Sequence, residues 1–572
     1  MNWRPSWLHG YNRWQAGQDG LAALIVSLML IPQSLAYAML AGLPPVSGLY
    51  ASILPLLGYA LFGSSRTLAV GPVAVVSLMT AATLGPLFAP GSAEYVGAAM
   101  LLALLSGLFL VAMAMLRLGF VANFLSHPVI SGFISASGIL IAVGQLKHIF
   151  GVAIGGETLW QLLPALFGQL PALHGTTLAI GAGSLLLLWW VRSYLKPCLL
   201  RCGVAPALAG DLAKAGPVLA IVVSILLVTW LQLDQAGVKV VGAVPQGLPG
   251  LRLPVLDLQL ALQLLPAAVL ISLVGFVESV SVAQTLAAKR RQRIEPDQEL
   301  LGLGAANLVA AVSGGFPVTG GFARSVVNFE AGAQTPMAGV MTAAGIAVSV
   351  LLFTPLLHNL PQAVLAATII VAVLGLVDLG SLKRTWHFSR ADGAAQGATL
   401  GGVLLLGVEN GILLGVGLSL LLFLWRTSRP HVAVVGQLPG SEHFRNVERH
   451  SVVQSPSVLS LRVDESLYFP NARYLEERIG ELIAARPLVR HLVLMCSGVN
   501  LIDASALDSL EAIAERLRSA GVQLHLSEVK GPVMDQLKRS DFIECFGGQV
   551  FVSQYQAQQA LDPESAQRAL AR

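Results

Sequence analysis

Apolar runs long enough to cross a bilayer recur along this chain from about Leu21 to Leu424. A spanning helix needs about 20 consecutive apolar residues, so the recurrence excludes a single anchor and requires a polytopic α-helical membrane domain. Composition agrees: of 572 residues, 55% are hydrophobic and only 12% charged, whereas a soluble domain carries about 25% charged residues. Against that background individual charges become conspicuous. Glu278 is the only charged residue between Asp257 and Lys289, and from Leu300 to Val377 the only formal charges are Arg324 and Glu330. A charge at the bilayer centre costs roughly 2.5–3.5 kcal/mol on insertion scales, so such groups mark functional sites.

Lys and Arg cluster at 192–202, 289–293, 382–390 and 425–430. The positive-inside rule turns these loops and the N-terminus towards the cytoplasm. Between them the spans lie at about 21–42, 46–62, 69–80, 95–115, 120–146, 175–193 and 214–232. A second set lies at about 260–287, 298–313, 323–331, 335–356, 361–379, 393–408 and 410–426. Seven spans followed by seven insert the second half upside down, as inverted repeats. The third span of each half is short and opens in Gly/Pro-rich sequence, GSSRTLAVGPVAVVS (63–77) and SGGFPVTGGFARSVVN (313–328). Interrupted segments at matching positions point to a transporter's binding site, because half-helix N-termini offer free N–H groups and a positive dipole to an anion.

The opening MNWRPSWLHGYNRW lacks a signal-peptide cleavage pattern and reads as a cytoplasmic interfacial segment over 1–20. The transmembrane domain covers 21–428, a polar linker 429–456 and a small cytoplasmic α/β domain 457–572, where strand-like stretches alternate with amphipathic helices. Cys198, Cys202, Cys496 and Cys545 fit neither a zinc pattern nor a disulfide framework. A net charge of +4 implies no nucleic-acid partner. No Walker motif, catalytic triad or metal-ligand cluster is present, so neither an enzyme nor a cofactor is expected. GLGAAN, with Asn307, has no strand before it and reads as helix packing polarity rather than a nucleotide loop.

Residues 31–80, IPQSLAYAMLAGLPPVSGLY onward, and 276–335, FVESVSVAQTLAAKRRQRIEPDQELLGLGAANLVAAVSGGFPVTGGFARSVVNFEAGAQT, closely resemble the two signature stretches of the sulfate permease family. These are the bacterial and plant relatives of the animal multifunctional anion exchangers. The C-terminal domain resembles a STAS domain. The resemblance implies fourteen segments in two inverted repeats, a core domain moving against a gate domain, a homodimer, and an anion held between the N-termini of segments 3 and 10.

It also implies roles. Arg324, in GGFARSVVN, matches the family's anion-site arginine, and a guanidinium's fork of donors suits an oxyanion. Ala323 stands where a serine is common, removing one hydroxyl, and it and Ser325 are expected beside Arg324 among the anion-binding residues. Gln33 and Tyr37 lie four apart on one helix face and match site positions, with interhelical hydrogen bonding as the alternative reading. Val73 and Ala74 would offer backbone N–H groups. Glu278, in FVESVSVAQ, matches the proton-coupling acid of plant-type members; with the site empty it is expected to pair with Arg324, and on anion arrival to take up a proton. Ser279 and Ser281 flank it as weaker candidates. Ser505, in IDASALDSL, falls where anti-sigma-factor antagonists carry a phosphorylatable serine, although a serine at a helix start is ordinarily an N-cap. The leading expectation is proton-coupled symport of a small oxyanion, foremost sulfate, in the cell inner (plasma) membrane. The alternatives are a bicarbonate or C4-dicarboxylate carrier, an uncoupled exchanger or channel, and a STAS-based signalling module.

Overall fold

The computed structural model describes residues 7, 10–124, 126–156, 158–203, 209, 216–242 and 245–571. The chain forms two compact units, Met1–Ser419 and Leu420–Arg572. Among the described residues the apolar helices fall into fourteen segments. The first seven are Arg13–Leu40, Pro45–Phe62, Ala74–Leu84, Ala93–Met115, His127–Phe150, Gly175–Arg201 and Gly216–Leu231. Segments 8 to 14 are Leu258–Lys289, Pro296–Val312, Phe322–Glu330, Met337–Leu352, Gln362–Phe388, Arg390–Leu406 and Val408–Ser428. Segments 3 and 10 are the short ones, 11 and 9 residues.

Packing follows the repeat. Segment 8 lies on segment 4 as segment 1 lies on segment 11, and segment 13 lies on segment 5 as segment 12 lies on segment 6. Segments 1–4 and 8–11 therefore form one bundle, the core. Segments 5–7 associate with 12 and 13 in a second, the gate. Small residues allow the closest approaches: a Cβ on Gly107 would stand 2.8 Å from Leu308 N and 3.0 Å from Gly304 O, so segments 4 and 9 touch through their backbones.

The separate interfacial segment expected over 1–20 gives way at Asn12. There a capping box with Gln15 starts segment 1, eight residues earlier than the hydropathy indicates. Residues 1–6, 8 and 9 lie outside the described part. Segment 5 begins at His127 rather than near 120, after a 3-10 turn over Leu118–Phe124.

The second unit is a six-stranded sheet in the order β4-β3-β5-β6-β7-β8. Strands β5 (Val458–Val463), β6 (His491–Met495), β7 (Gln523–Ser527) and β8 (Val550–Phe551) run parallel, while β3 (Val432–Gln437) and β4 (Phe444–Asn446) are antiparallel additions. Helices Ala472–Ala484 and Ala504–Ser519 bury Leu475, Ile479, Leu510 and Ile513 in its core. The stretch 429–456 is thus no linker. Its alternating VAVVGQ supplies β3, which pairs along β5 and carries β4 on its other edge.

Candidate anion site

Extended backbone at membrane depth survives only where its polar groups find partners inside the protein. Ahead of the two half-helices the chain does this with two two-residue strands, β1 (Val70–Gly71) and β2 (Thr319–Gly320), paired antiparallel with Val70 opposite Gly320 and Gly71 opposite Thr319. Side chains complete the crossing. Asn307 donates to Val318 O and accepts from Val318 N, both at 2.9 Å, replacing a third strand. Asn328 donates to Thr67 O at 3.0 Å. Ser279 Oγ accepts from Gly320 N at 2.9 Å and shares a 2.7 Å bond with Thr319 Oγ1. Asn307 and Ser279 are therefore braces of the crossing, and Ser281 is exposed.

Ser325, expected to face the anion, is also a brace. Its Oγ donates to Gly321 O at 2.7 Å and accepts from Ala69 N at 3.0 Å, and its own N–H is bonded to Gly321 O. Position four of a helix is the first whose N–H has an intrahelical acceptor, so this residue has no free donor to give.

The N-termini of segments 3 and 10 meet directly. Val73, the N-cap of segment 3, places Cγ1 3.1 Å from where a Cβ on Gly321, the N-cap of segment 10, would lie. Neither cap makes a side-chain hydrogen bond. The first-turn N–H groups after Val73 and Gly321, those of Ala74 and Ala323 included, therefore lack both an intrahelical and a side-chain acceptor. Two positive dipole ends converge here.

Into the same place the third residue of segment 10 brings a full charge. Arg324 is 2% exposed, and neither Nη1 nor Nη2 has a hydrogen-bond partner among the described residues. The guanidinium lies folded against backbone: a Cβ on Gly71 would stand 2.7 Å from Nη1, and one on Gly321 2.8 Å from Nε. Gly71, at φ +154, is a position glycine alone adopts comfortably. A buried, unpaired cation at two helix N-termini is unstable by several kcal/mol unless an anion joins it.

Glu278 and Tyr37 are the ionisable neighbours whose charge Arg324 feels. The expected pairing of Glu278 with Arg324 is nevertheless not formed: no ion pair or hydrogen bond joins them. Arg324 is drawn back against Gly71 and Gly321, while Glu278 borders an apolar cleft between segment 8 and segments 5 and 14, lined by Ile130, Phe133, Ile134 and Ile412. Tyr37 is buried and Gln33 half-buried, one turn apart on segment 1, and neither side chain bonds to another described residue. Arg324, Glu278 and Tyr37 are thus brought together with the half-helix ends, and Ala323 leaves its place in the mouth without a hydroxyl.

Three ionisable residues with structural roles are not marked by the sequence. Glu299, fully buried, accepts from Tyr59 Oη (2.7 Å), Ser64 N (2.8 Å), Ser64 Oγ (2.6 Å) and Ser65 N (2.8 Å), fixing the loop that leads to β1. Asp19 accepts from Gln334 N, Thr335 N and Thr335 Oγ1 and fixes the loop after segment 10. Arg290 donates to Phe329 O and Ala333 O at the C-terminal end of segment 10, a cation where the dipole is negative. In the second unit Ser505 is exposed in the first turn of its helix. The N-cap is Asp503, bonded to Ala506 N, so the capping reading of Ser505 is wrong.

Comparisons with known proteins converge on this architecture. The sequence profile of the "Sulfate permease family" matches residues 17–396, and that of the "STAS domain" residues 449–557. Sulfate transporter 4.1, chloroplastic, of Arabidopsis thaliana is 34% identical over 559 residues, covering 95% of this chain and 80% of its own. Sulfate transporter 1.3 of the same plant is 31% identical over 577 residues, 98% of this chain and 87% of its own. Among solved structures, that of SLC26A9 superposes with a TM-score of 0.87 at 22% identity over 98% of this chain and 94% of its own. At that identity the likeness speaks for the fold alone. With the half-helix crossing, the apolar segments and the appended α/β unit all matched, this chain belongs to the sulfate permease family, and is a multi-pass membrane transport protein rather than an enzyme.

Proposed function

We propose that this protein is a secondary active transporter carrying a small oxyanion, sulfate, inward together with a proton across the cell's inner membrane, with both termini cytoplasmic. The observation that carries the anion reading is the Arg324 guanidinium, buried with both terminal nitrogens unpartnered where two uncapped half-helix N-termini meet. Fixed charge plus oriented N–H groups bind an anion without reorganisation. Sulfate is favoured among small anions by the names of the relatives that share nearly the whole chain.

Proton coupling rests on Glu278. Its carboxyl stands in an apolar cleft between the core and the gate, with no donor committed to it, close enough to Arg324 to feel its charge. A divalent anion brought beside an ionised Glu278 is repelled, and a proton on Glu278 removes the repulsion. Anion and proton then bind cooperatively, and the coupling is reciprocal. The proton also lowers the net charge that the loaded site carries across the apolar cleft, which lowers the desolvation cost.

The test is uptake of labelled sulfate into proteoliposomes with and without an inward proton gradient, competed by bicarbonate, selenate and fumarate. Gradient-driven accumulation inhibited by selenate is expected, with Glu278→Gln transporting but no longer accumulating. Accumulation that survives Glu278→Gln rejects the coupling. Sodium-dependent bicarbonate uptake without sulfate uptake rejects the substrate.

A further inference from the structure

At the end of the transport domain opposite the Lys289–Arg293 loop, three basic side chains gather around a second cavity. Lys147 and His148 occupy the last turn of segment 5, which Gly151 ends in a left-handed cap with its N–H on Lys147 O. Lys239 comes from a short strap. Val240 bridges Pro361, Val241 N bonds to Leu360 O at 2.8 Å, and Gln362 N bonds to Lys239 O at 2.9 Å, pinning the strap to the start of segment 12. Lys147, His148 and Lys239, with Thr177 and Gln362, line a cavity of about 240 Å³. The charge of Lys239 acts on Lys147, both lysines act on His148, and no ion pair relieves either lysine among the described residues. A lysine in a helix's last turn offsets the dipole. That explains Lys147 but not Lys239, which the strap holds against a like charge.

Lys147 also lines a second cavity of about 250 Å³, with Gln145, Asn410, Leu40 and Leu78. The walls of this cavity continue towards Arg324 in helical steps. Below Leu78 and Ala81 on segment 3 lie Ala74 and Ser77, below Leu40 on segment 1 lie Tyr37 and Gln33, and below Ile141 on segment 5 lies Ser137. The hydroxyls of Ser77 and Ser137 are buried with no hydrogen-bond partner among the described residues, so two open polar groups stand on the way between the lysines and the half-helix ends.

We propose that Lys147, Lys239 and His148 form a second anion site, which collects a small oxyanion at this mouth and delivers it past Lys147 into the cavity leading to Arg324. The proposal rests on the anion-transport reading for its purpose, but not for its binding chemistry. Lys239 is exposed, so the site is weak, quickly exchanging and sensitive to salt. Its action is to raise the local anion concentration, and charges that steer a ligand are worth about 10-fold or more in association rate at low ionic strength.

Two measurements test it on the full-length protein. Acylation of Lys147 and Lys239 by a membrane-impermeant amine reagent, read by mass spectrometry, should be slowed by sulfate relative to gluconate at matched ionic strength. At a few multiples of the dissociation constant, protection of about 3-fold is expected, in the wild type and equally in Arg324→Ala. No slowing beyond gluconate, or slowing that disappears in Arg324→Ala, overturns the proposal. A protein whose lysines sulfate protects but which moves no oxyanion retains this site and loses the transport reading. In uptake assays, the double variant Lys147→Gln, Lys239→Gln should raise the KM for sulfate about 3- to 10-fold at low ionic strength, with the difference closing at high salt. A KM with wild-type salt dependence overturns the proposal.

Discussion

The half-helix crossing and the rim beneath it contain the same chemistry arranged to opposite ends. At the rim Arg290 has two carbonyl acceptors, Asp19 three donors and Glu299 four. At the crossing, among the described residues, Arg324 has two terminal nitrogens without partners and Glu278 has no hydrogen bond. Burial alone does not separate them, for Arg324 and Glu299 are both nearly inaccessible. What separates them is satisfaction. An ionisable group bonded to several partners braces the fold, and one left open is held ready for something that arrives.

The most severe way to probe that contrast is to remove each arginine. Arg324→Ala should abolish saturable anion uptake, a loss of about 2–5 kcal/mol in binding, while leaving thermal stability in detergent equal or higher because an unpaired buried charge is gone. Arg290→Ala should do the reverse, keeping anion affinity and losing stability by about 1–3 kcal/mol, because Ala333 O loses its donor while Phe329 O keeps its bond from Gly332 N. Equal stability losses in both would erase the distinction.

Next in size is Gly71→Ala. The backbone there stands at φ +154, and a Cβ would come within 2.7 Å of Arg324 Nη1. The guanidinium must then move by a sizeable part of an ångström, and displacements of about 1 Å in positioned groups cost on the order of 100-fold. Sulfate uptake by Gly71→Ala should fall by about 10- to 100-fold with the protein still folded in detergent. Undiminished uptake would mean the arginine is not held by this contact.

The acids form a gentler pair. Glu299→Gln turns an N–H₂ towards a donor and should lower stability by about 1–3 kcal/mol, whereas Glu278→Gln removes no hydrogen bond and should leave thermal unfolding within about 0.5 kcal/mol of wild type. Unfolding scans of both in the same detergent decide it.

What could be read from the sequence divides along the same line. Glu278 and Arg324 stood out because each interrupts a long apolar run, and the half-helices because Gly and Pro cluster at matching positions. Asp19, Arg290 and Glu299 sit among other polar residues near segment ends, where charges ordinarily face water, and only the fold shows their acceptors and donors closing on loops far away in sequence. Its place beside Arg324 puts Ser325 among the expected anion-binding residues, but whether its hydroxyl is free depends on Ala69, 256 residues away. The strands β3 and β4 were hidden in a similar way. A five-residue apolar run, VAVVG, followed by polar sequence reads as a connector until β5 supplies its neighbour.

The same contrast extends into the α/β unit, where the effect vanishes at neutral pH and grows only on acidification. His525 is buried on β7, and its Nδ1 accepts from Gln549 N at 3.1 Å, so the ring proton resides on Nε2, 3.1 Å from Nδ1 of His491 on β6. Both acceptors are in use and neither ring has room for a second proton at the contact. Burial, with the neighbouring His491 adding to it, pushes His525 down to about 4, against about 6.5 for an unfolded histidine. The unfolded chain therefore binds the proton more readily, and stability that is complete above about pH 6.5 is lost progressively as the pH falls towards 4. Hydrogen exchange of the β6 and β7 amides, corrected for intrinsic rates, should accelerate across that interval in the full-length protein and lose this pH dependence in His525→Gln. A flat profile in the wild type would show that the pair accepts protons as freely as the unfolded chain. At Glu278 a proton meets a carboxyl with no committed donor, and pH is expected to act there on what the protein carries; at His525 every polar contact is taken, and pH can act only on the fold.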